Sequence, residues 1–117
     1  DFNLDGALDL ITVNRDQPVR VFQQNGPVGN FVSIDPRSGN GNRFAVGAKA
    51  TVRAAGRTTT ITRRVGGGHA GGSLLPLHFG IASSGTAQAR ITWPDGSKTD
   101  WREIAAGSRL VIEKEKP

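Results

Sequence analysis

Apolar and polar residues alternate in short runs along this chain, and Gly, Pro, Asn or Asp interrupts the runs at short intervals. A period of two places successive side chains on opposite faces of a strand, whereas a helix needs a period of about 3.6. The pattern therefore leaves little room for helix. It predicts strands over 9–14, 19–24, 31–34, 45–54, 58–65, 77–81, 87–93, 99–104 and 109–113. Nine short strands with turn residues between them point to an all-β fold, an antiparallel β-sandwich or barrel-like domain. Turn chemistry supports two of the pairings. Ala55-Gly56 and Pro94-Asp95-Gly96 each separate two alternating runs, and each Gly supplies the positive φ of a tight hairpin. In the first hairpin Ala48, Ala50, Val52 and Ala54 share one face, with Lys49, Thr51 and Arg53 on the other. Trp93 reads as a core residue, with Trp101 as its neighbour across the Pro-Asp-Gly turn.

Composition narrows the chemistry. The 117 residues hold no Cys, which excludes a disulfide scaffold, a zinc ribbon and thiolate catalysis. No apolar run approaches the ~20 residues needed to span a bilayer, so membrane insertion is not expected. The formal charge is +5, yet Asp1, Asp5, Asp9 and Asp16 crowd the front against Arg15 alone. Between Asp35 and Arg64 the balance reverses, with Arg37, Arg43, Lys49, Arg53, Arg57, Arg63 and Arg64 facing a single acid. Such a stretch suits an acidic glycan or another polyanion, or forms a solvated basic face. Nucleic-acid modules interleave aromatics among their basic residues, and this stretch has only Phe44, which argues against a nucleic-acid partner.

The acidic front is the strongest motif. Asp1-Phe2-Asn3-Leu4-Asp5-Gly6-Ala7-Leu8-Asp9 places side-chain oxygens at alternate positions, then a Gly for a sharp bend, then a closing carboxylate. Calcium takes six to eight oxygen ligands, and a curling loop offers them in this way. The predicted ligands are the side chains of Asp1, Asn3, Asp5 and Asp9 and the carbonyl of Ala7, with water completing the shell. An EF-hand is excluded, because position twelve is Thr12 and the following Leu10-Ile11-Thr12-Val13 reads as a strand. The first 27 residues cannot bury a hydrophobic face by themselves and must lean on the following domain or on an upstream partner.

Raw material for catalysis is thin. His69 and His78 are the two histidines, and the carboxylates outside the loop fall mostly in turns or at strand ends. His69 sits in Gly66-Gly67-Gly68-His69-Ala70-Gly71-Gly72, where glycines let backbone amides approach an anion or simply make a connecting loop. Arg43, beside Asn42, is the other candidate ligand-binding residue; it either meets an acidic group or pairs with a carboxylate to hold its loop. The expected function is a non-enzymatic binding or structural module.

The acidic loop followed by Leu-Asp-Leu-Ile-Thr-Val-Asn and by Val19-Arg20-Val21-Phe22-Gln23-Gln24-Asn25-Gly26 resembles part of an FG-GAP or VCBS repeat, a calcium-binding blade unit of β-propellers. The remainder resembles the ASPIC/UnbV domain. Its marks are Asn42-Arg43-Phe44-Ala45-Val46-Gly47-Ala48-Lys49-Ala50-Thr51-Val52, then Leu77-His78-Phe79-Gly80-Ile81, then Ile91-Thr92-Trp93-Pro94-Asp95-Gly96. That family usually has a second Gly where this chain has Ala82. The resemblance implies two parts, a partial repeat over 1–27 and a β domain over 28–117, at the tail of a longer protein with upstream propeller repeats. It also implies a secreted, extracellular or periplasmic setting and, as an alternative role, an accessory domain of a biosynthetic enzyme; the expected partner is a protein or, from the basic stretch between Arg37 and Arg64, an acidic glycan.

Overall fold

The computed structural model describes residues 1–26, 28–39, 41–67 and 71–115. Nine strands run in chain order: β1 Leu10–Thr12, β2 Arg20–Phe22, β3 Phe31–Arg37, β4 Lys49–Ala54, β5 Arg57–Thr62, β6 Leu77–Gly80, β7 Thr86–Thr92, β8 Arg102–Ala105 and β9 Arg109–Glu113. Each overlaps a predicted strand, but β4 begins at Lys49 and not at 45, β8 at Arg102 and not at 99, β5 stops at Thr62 and β3 runs on to Arg37. Among the described residues there is no helix, hence none long and apolar enough to cross a membrane.

Strands β1 and β2 form a separate antiparallel hairpin. The others form a three-stranded sheet ordered β6-β3-β9 and a four-stranded sheet ordered β5-β4-β7-β8. Every pairing is antiparallel except β3 with β9, which run parallel from Ser33↔Arg109 to Arg37↔Glu113. Parallel neighbours need a crossover connection. Here the whole four-stranded sheet lies in the chain between them.

The core fills the space between the two larger sheets. Val32, Ile34, Leu77, Phe79 and Ile112 come from the three-stranded side; Ala50, Val52, Ala87, Ala89, Ile91 and Ile104 come from the other. Alanines on one wall admit larger side chains from the facing wall, as interdigitated packing requires. Trp93 closes this core at 4% exposure, and burying a ring of that size contributes about 3 kcal/mol as an upper estimate.

The Ala55-Gly56 reversal carries positive φ at both residues, 48° and 71°. Two left-handed residues define the tight turn whose twist matches its strands, so Ala55 occupies a conformation that costs a β-carbon about 1 kcal/mol. At the second predicted turn Gly96 has φ 87°, and Trp93 N–H donates to the Ser97 carbonyl at 2.8 Å. Ala82 is also left-handed, φ 52°, a conformation that glycine adopts without the β-carbon's steric cost.

Trp101 departs from the expectation that it neighbours Trp93. It stands one residue before Arg102, whose register partner is Ala89, so it falls beside the outward-pointing Arg90. Its half-buried ring lies on the outer face of the four-stranded sheet, beneath the guanidinium groups of Arg53 and Arg90. Arg63 departs too. The β4–β5 ladder pairs Lys49 with Thr62, and its continuation sets Arg63 opposite the inward-facing Ala48; Arg63 N–H donates to the Ala48 carbonyl at 2.8 Å. The side chain is 1% exposed, not part of a solvated basic face.

Candidate functional site

Local hydrogen bonds curl the acidic loop. Asp5 Oδ1 accepts from Ala7 N–H at 2.8 Å, and Asn3 Nδ2 donates to Asp5 Oδ2 at 2.7 Å. Asp1 Oδ2 accepts from Gly6 N–H at 3.2 Å, closing the turn from its first residue. Asp9 works over a longer range: Oδ2 accepts from Phe2 N–H and Oδ1 from Gln24 N–H, each at 3.0 Å. One carboxylate thus ties the start of the loop to the segment after β2. The Gln24 amide is the main reason that Asp9 sits below the ordinary carboxylate range, with the Phe2 amide adding to it.

Gly6 does more than bend the chain. Its φ is 93°, and a β-carbon there would lie 2.2 Å from Phe31 Cε1. The loop therefore presses its backbone against the Phe31 ring at the start of β3, and only glycine allows that approach. Phe31 is held from two sides. The His78 ring stacks on it with centroids 5.1 Å apart and planes 9° from parallel, and the Arg109 guanidinium carbon lies 4.9 Å from its centroid. Arg109 then reaches the loop, donating from Nη2 to Asp1 Oδ2 at 2.8 Å and to the Leu4 carbonyl at 3.1 Å. Strands β6, β3 and β9 each contribute one member of this His78–Phe31–Arg109 layer. Burial lowers the His78 pKa, and the positive charges nearby, Arg109 among them, lower it further.

A cleft of about 340 Å³ opens beside this contact, walled by Leu4, Leu8, Leu75 and Val111 and floored by Ser33 and Asp35. The floor is rigid. Asp35 Oδ2 accepts from Arg37 Nε at 2.8 Å and Nη2 at 2.6 Å, while Oδ1 is bonded by Arg63 Nη2. Arg63 also donates to the carbonyls of Phe44 at 3.3 Å, Leu74 at 3.0 Å and Leu75 at 2.5 Å. A buried guanidinium is tolerated when its donors are spent in this way.

Of the predicted site residues, the structure brings Asn3, Asp5 and the Ala7 amide into one hydrogen-bonded turn and sets Asp1 against Arg109. Among the described residues, no group of three His, Cys, Asp or Glu is placed to hold a metal ion. The Asp1 Oδ1 atom is buried and has no hydrogen-bond partner. Arg43 is exposed and makes no ion pair among the described residues. The turn beside it is closed by Asn42, which exchanges two 2.9 Å bonds with the Val46 backbone. His69 lies outside the described residues. Sequence reasoning missed Phe31, Asp35, Arg63 and Arg109. The one local signal was the continued alternation Thr59, Ile61, Arg63, which carries an arginine onto the inward face.

The family model described as "ASPIC and UnbV" matches residues 38–117. Cartilage acidic protein 1 from Homo sapiens is 34% identical over 115 residues, covering 92% of this chain and 17% of that protein. The Mus musculus protein of the same name is 34% identical over 121 residues, covering 97% of this chain and 18% of its own length. This chain thus spans about a sixth of the length of these relatives. A match over 97% of the chain extends well upstream of residue 38, through the β1–β2 hairpin and into the acidic loop. The β domain with its two sheets and inward-facing alanine wall belongs to the ASPIC/UnbV family.

Proposed function

We propose that this chain is a non-catalytic, extracellular module in which a calcium loop braces a β-sandwich, and that it forms one part of a longer repeat protein. The observation that carries the reading is the loop of residues 1–9, folded onto the β6-β3-β9 sheet with Asp1 Oδ1 buried and unpartnered. A buried carboxylate oxygen without a partner is costly, and a cation is one group that would satisfy it. The donor set fits calcium, because every candidate atom is an oxygen and none is a softer nitrogen or sulfur. Asp1, Asn3, Asp5 and the Ala7 carbonyl would supply the ligands. Asp9 would add a lone pair beyond the two it gives to the Phe2 and Gln24 amides. Bound calcium would supply positive charge that lets the carboxylates converge, and the Asp5 bonds to Asn3 and Ala7 would yield to it.

The hairpin supports the second half of the reading. Leu10, Ile11, Val13, Val19, Val21 and Phe22 are all more than half exposed, on both faces of a two-stranded sheet. Further strands of a longer protein would cover them, and relatives about six times this length leave ample chain for that. We read residues 1–27 as a piece of such a repeat and 28–117 as the family domain. The name of the relatives, cartilage acidic protein, supports an extracellular setting.

Calorimetric titration with calcium tests the proposal on the parent and on Asp5→Ala. The expected result is saturable heat with a rise in melting temperature, both lost in the variant; ligand at 100 times Kd contributes about 2.7 kcal/mol. The absence of both heat and a melting shift in the parent would refute it.

A further inference from the structure

The outer face of the four-stranded sheet carries a feature that neither the calcium loop nor the core requires. Alternation on β4 and β7 turns Lys49, Thr51 and Arg53, and likewise Gln88, Arg90 and Thr92, away from the core. Register sets Arg90 opposite Thr51 and Arg53 opposite Gln88, so the two arginines occupy neighbouring strands, diagonally placed. Both lie over one indole: the guanidinium carbons of Arg53 and Arg90 are 4.0 and 4.6 Å from the Trp101 ring centroid. Two like charges on a single ring repel, and the attraction of each to the ring's negative face only partly offsets that.

Neither Lys49, Arg53 nor Arg90 forms an ion pair among the described residues. Glu103, the carboxylate that register brings to this face, accepts a bond from Gln88 at 3.3 Å. Arg90 Nε is buried with no acceptor at all. Contact with a π face spends none of a guanidinium's N–H donors, so the indole fixes the two groups in position while leaving donors available. Beside them the Thr51 and Thr60 hydroxyls meet at 3.0 Å, where β4 and β5 pair.

We propose that Trp101, Arg53 and Arg90, with Lys49, Thr51 and Thr60, form a binding site for a sulfated or carboxylated glycan. Fixed guanidiniums recognise sulfate or carboxylate oxygens through paired N–H donors, threonine hydroxyls exchange bonds with sugar hydroxyls, and the half-buried indole adds an apolar contact for a pyranose ring. Single-stranded nucleic acid offers anions too, but its binders line up several aromatic platforms along a groove, and this face has one. The site is independent of the calcium reading.

Surface plasmon resonance on immobilised heparin at physiological salt tests it. The parent, R53Q/R90Q, W101A, W101F and the charge-matched control R15Q/R20Q are compared, with circular dichroism and melting curves to establish that each is folded. The account predicts saturable binding that falls about tenfold or more in R53Q/R90Q and changes less than about threefold in the control. W101A should weaken binding and W101F should retain most of it, since a phenyl ring still supports the arginines. Three results would overturn the assignment: no binding by the parent, an equal loss in the control, or tighter binding to a single-stranded oligonucleotide than to heparin.

Discussion

Replacing Arg63 with alanine would remove a charge that is 1% exposed and bonds at once to Asp35 and to the carbonyls of Phe44, Leu74 and Leu75. Breaking a buried ion pair from one side costs about 3–5 kcal/mol, because the remaining charge keeps its desolvation cost. Arg37 still donates two bonds to Asp35 Oδ2, which places the loss toward the lower end, about 3 kcal/mol. Against a total of about 5–15 kcal/mol for a domain of this size, that is a large fraction. Urea unfolding followed by the fluorescence of Trp93 and Trp101 reads it directly. With an m-value of about 1.5–2 kcal/mol/M, the midpoint should fall by about 1.5–2 M at unchanged slope. D35N/R63A should lose less than the sum of D35N and R63A, because the second change removes the partner stranded by the first. A midpoint shift below about 0.5 M in R63A, or strict additivity in the double variant, would refute the claim that this buried pair ties β3 to the chain after β5.

Three further outcomes follow from local geometry. Ala55→Gly relieves a non-glycine φ of 48° in a turn that demands it, and should raise stability by about 0.5–1 kcal/mol in the same urea assay; a loss would contradict the turn assignment. Gly6→Ala forces a β-carbon into the Phe31 ring and should detach the loop. Limited proteolysis should then cut within residues 1–9 faster than in the parent, while the β-sandwich melts within a few degrees of it. Asp95 is held at about 2, mainly by its bond from Lys114 and then by Ser97, against an ordinary 3.8. A depressed carboxylate stabilises the fold above its unfolded pKa, so this contribution is full above about pH 4 and lost as pH falls toward about 2. Asp95→Asn should flatten that acid limb in a melting-versus-pH series, and an unchanged limb would rule the pairing out.

Much of the fold was legible because it is written locally. Alternation on β4 and β7 forecast which residues face the core, and the Gly of each two-residue or Pro-Asp-Gly turn forecast the hairpins. Trp93 was readable as core by its phase with Ala89 and Ile91. What failed was long in range. The parallel β3–β9 pairing joins residues 76 apart, Ser33 and Arg109, and no local pattern encodes it. The same distance hid the docking layer, because Phe31, His78 and Arg109 become neighbours only when three strands of one sheet assemble. Arg63 and Trp101 were misplaced for a shared reason. Register, and not residue type, sets the side of each: Arg63 lies opposite the inward Ala48, and Trp101 beside the outward Arg90. Of the candidate site, the oxygen donors at alternate positions were plain in the sequence. The surface they press on was not.

Amide hydrogen exchange with and without calcium tests most directly the proposal that the loop of residues 1–9 binds calcium and braces the sheet behind it. The expected result is calcium-dependent slowing at Gly6, Phe2 and Gln24, extending to Phe31 on β3 and Arg109 on β9, with the four-stranded sheet unchanged. Identical exchange at these amides under saturating calcium, or slowing confined to the four-stranded sheet, would contradict it.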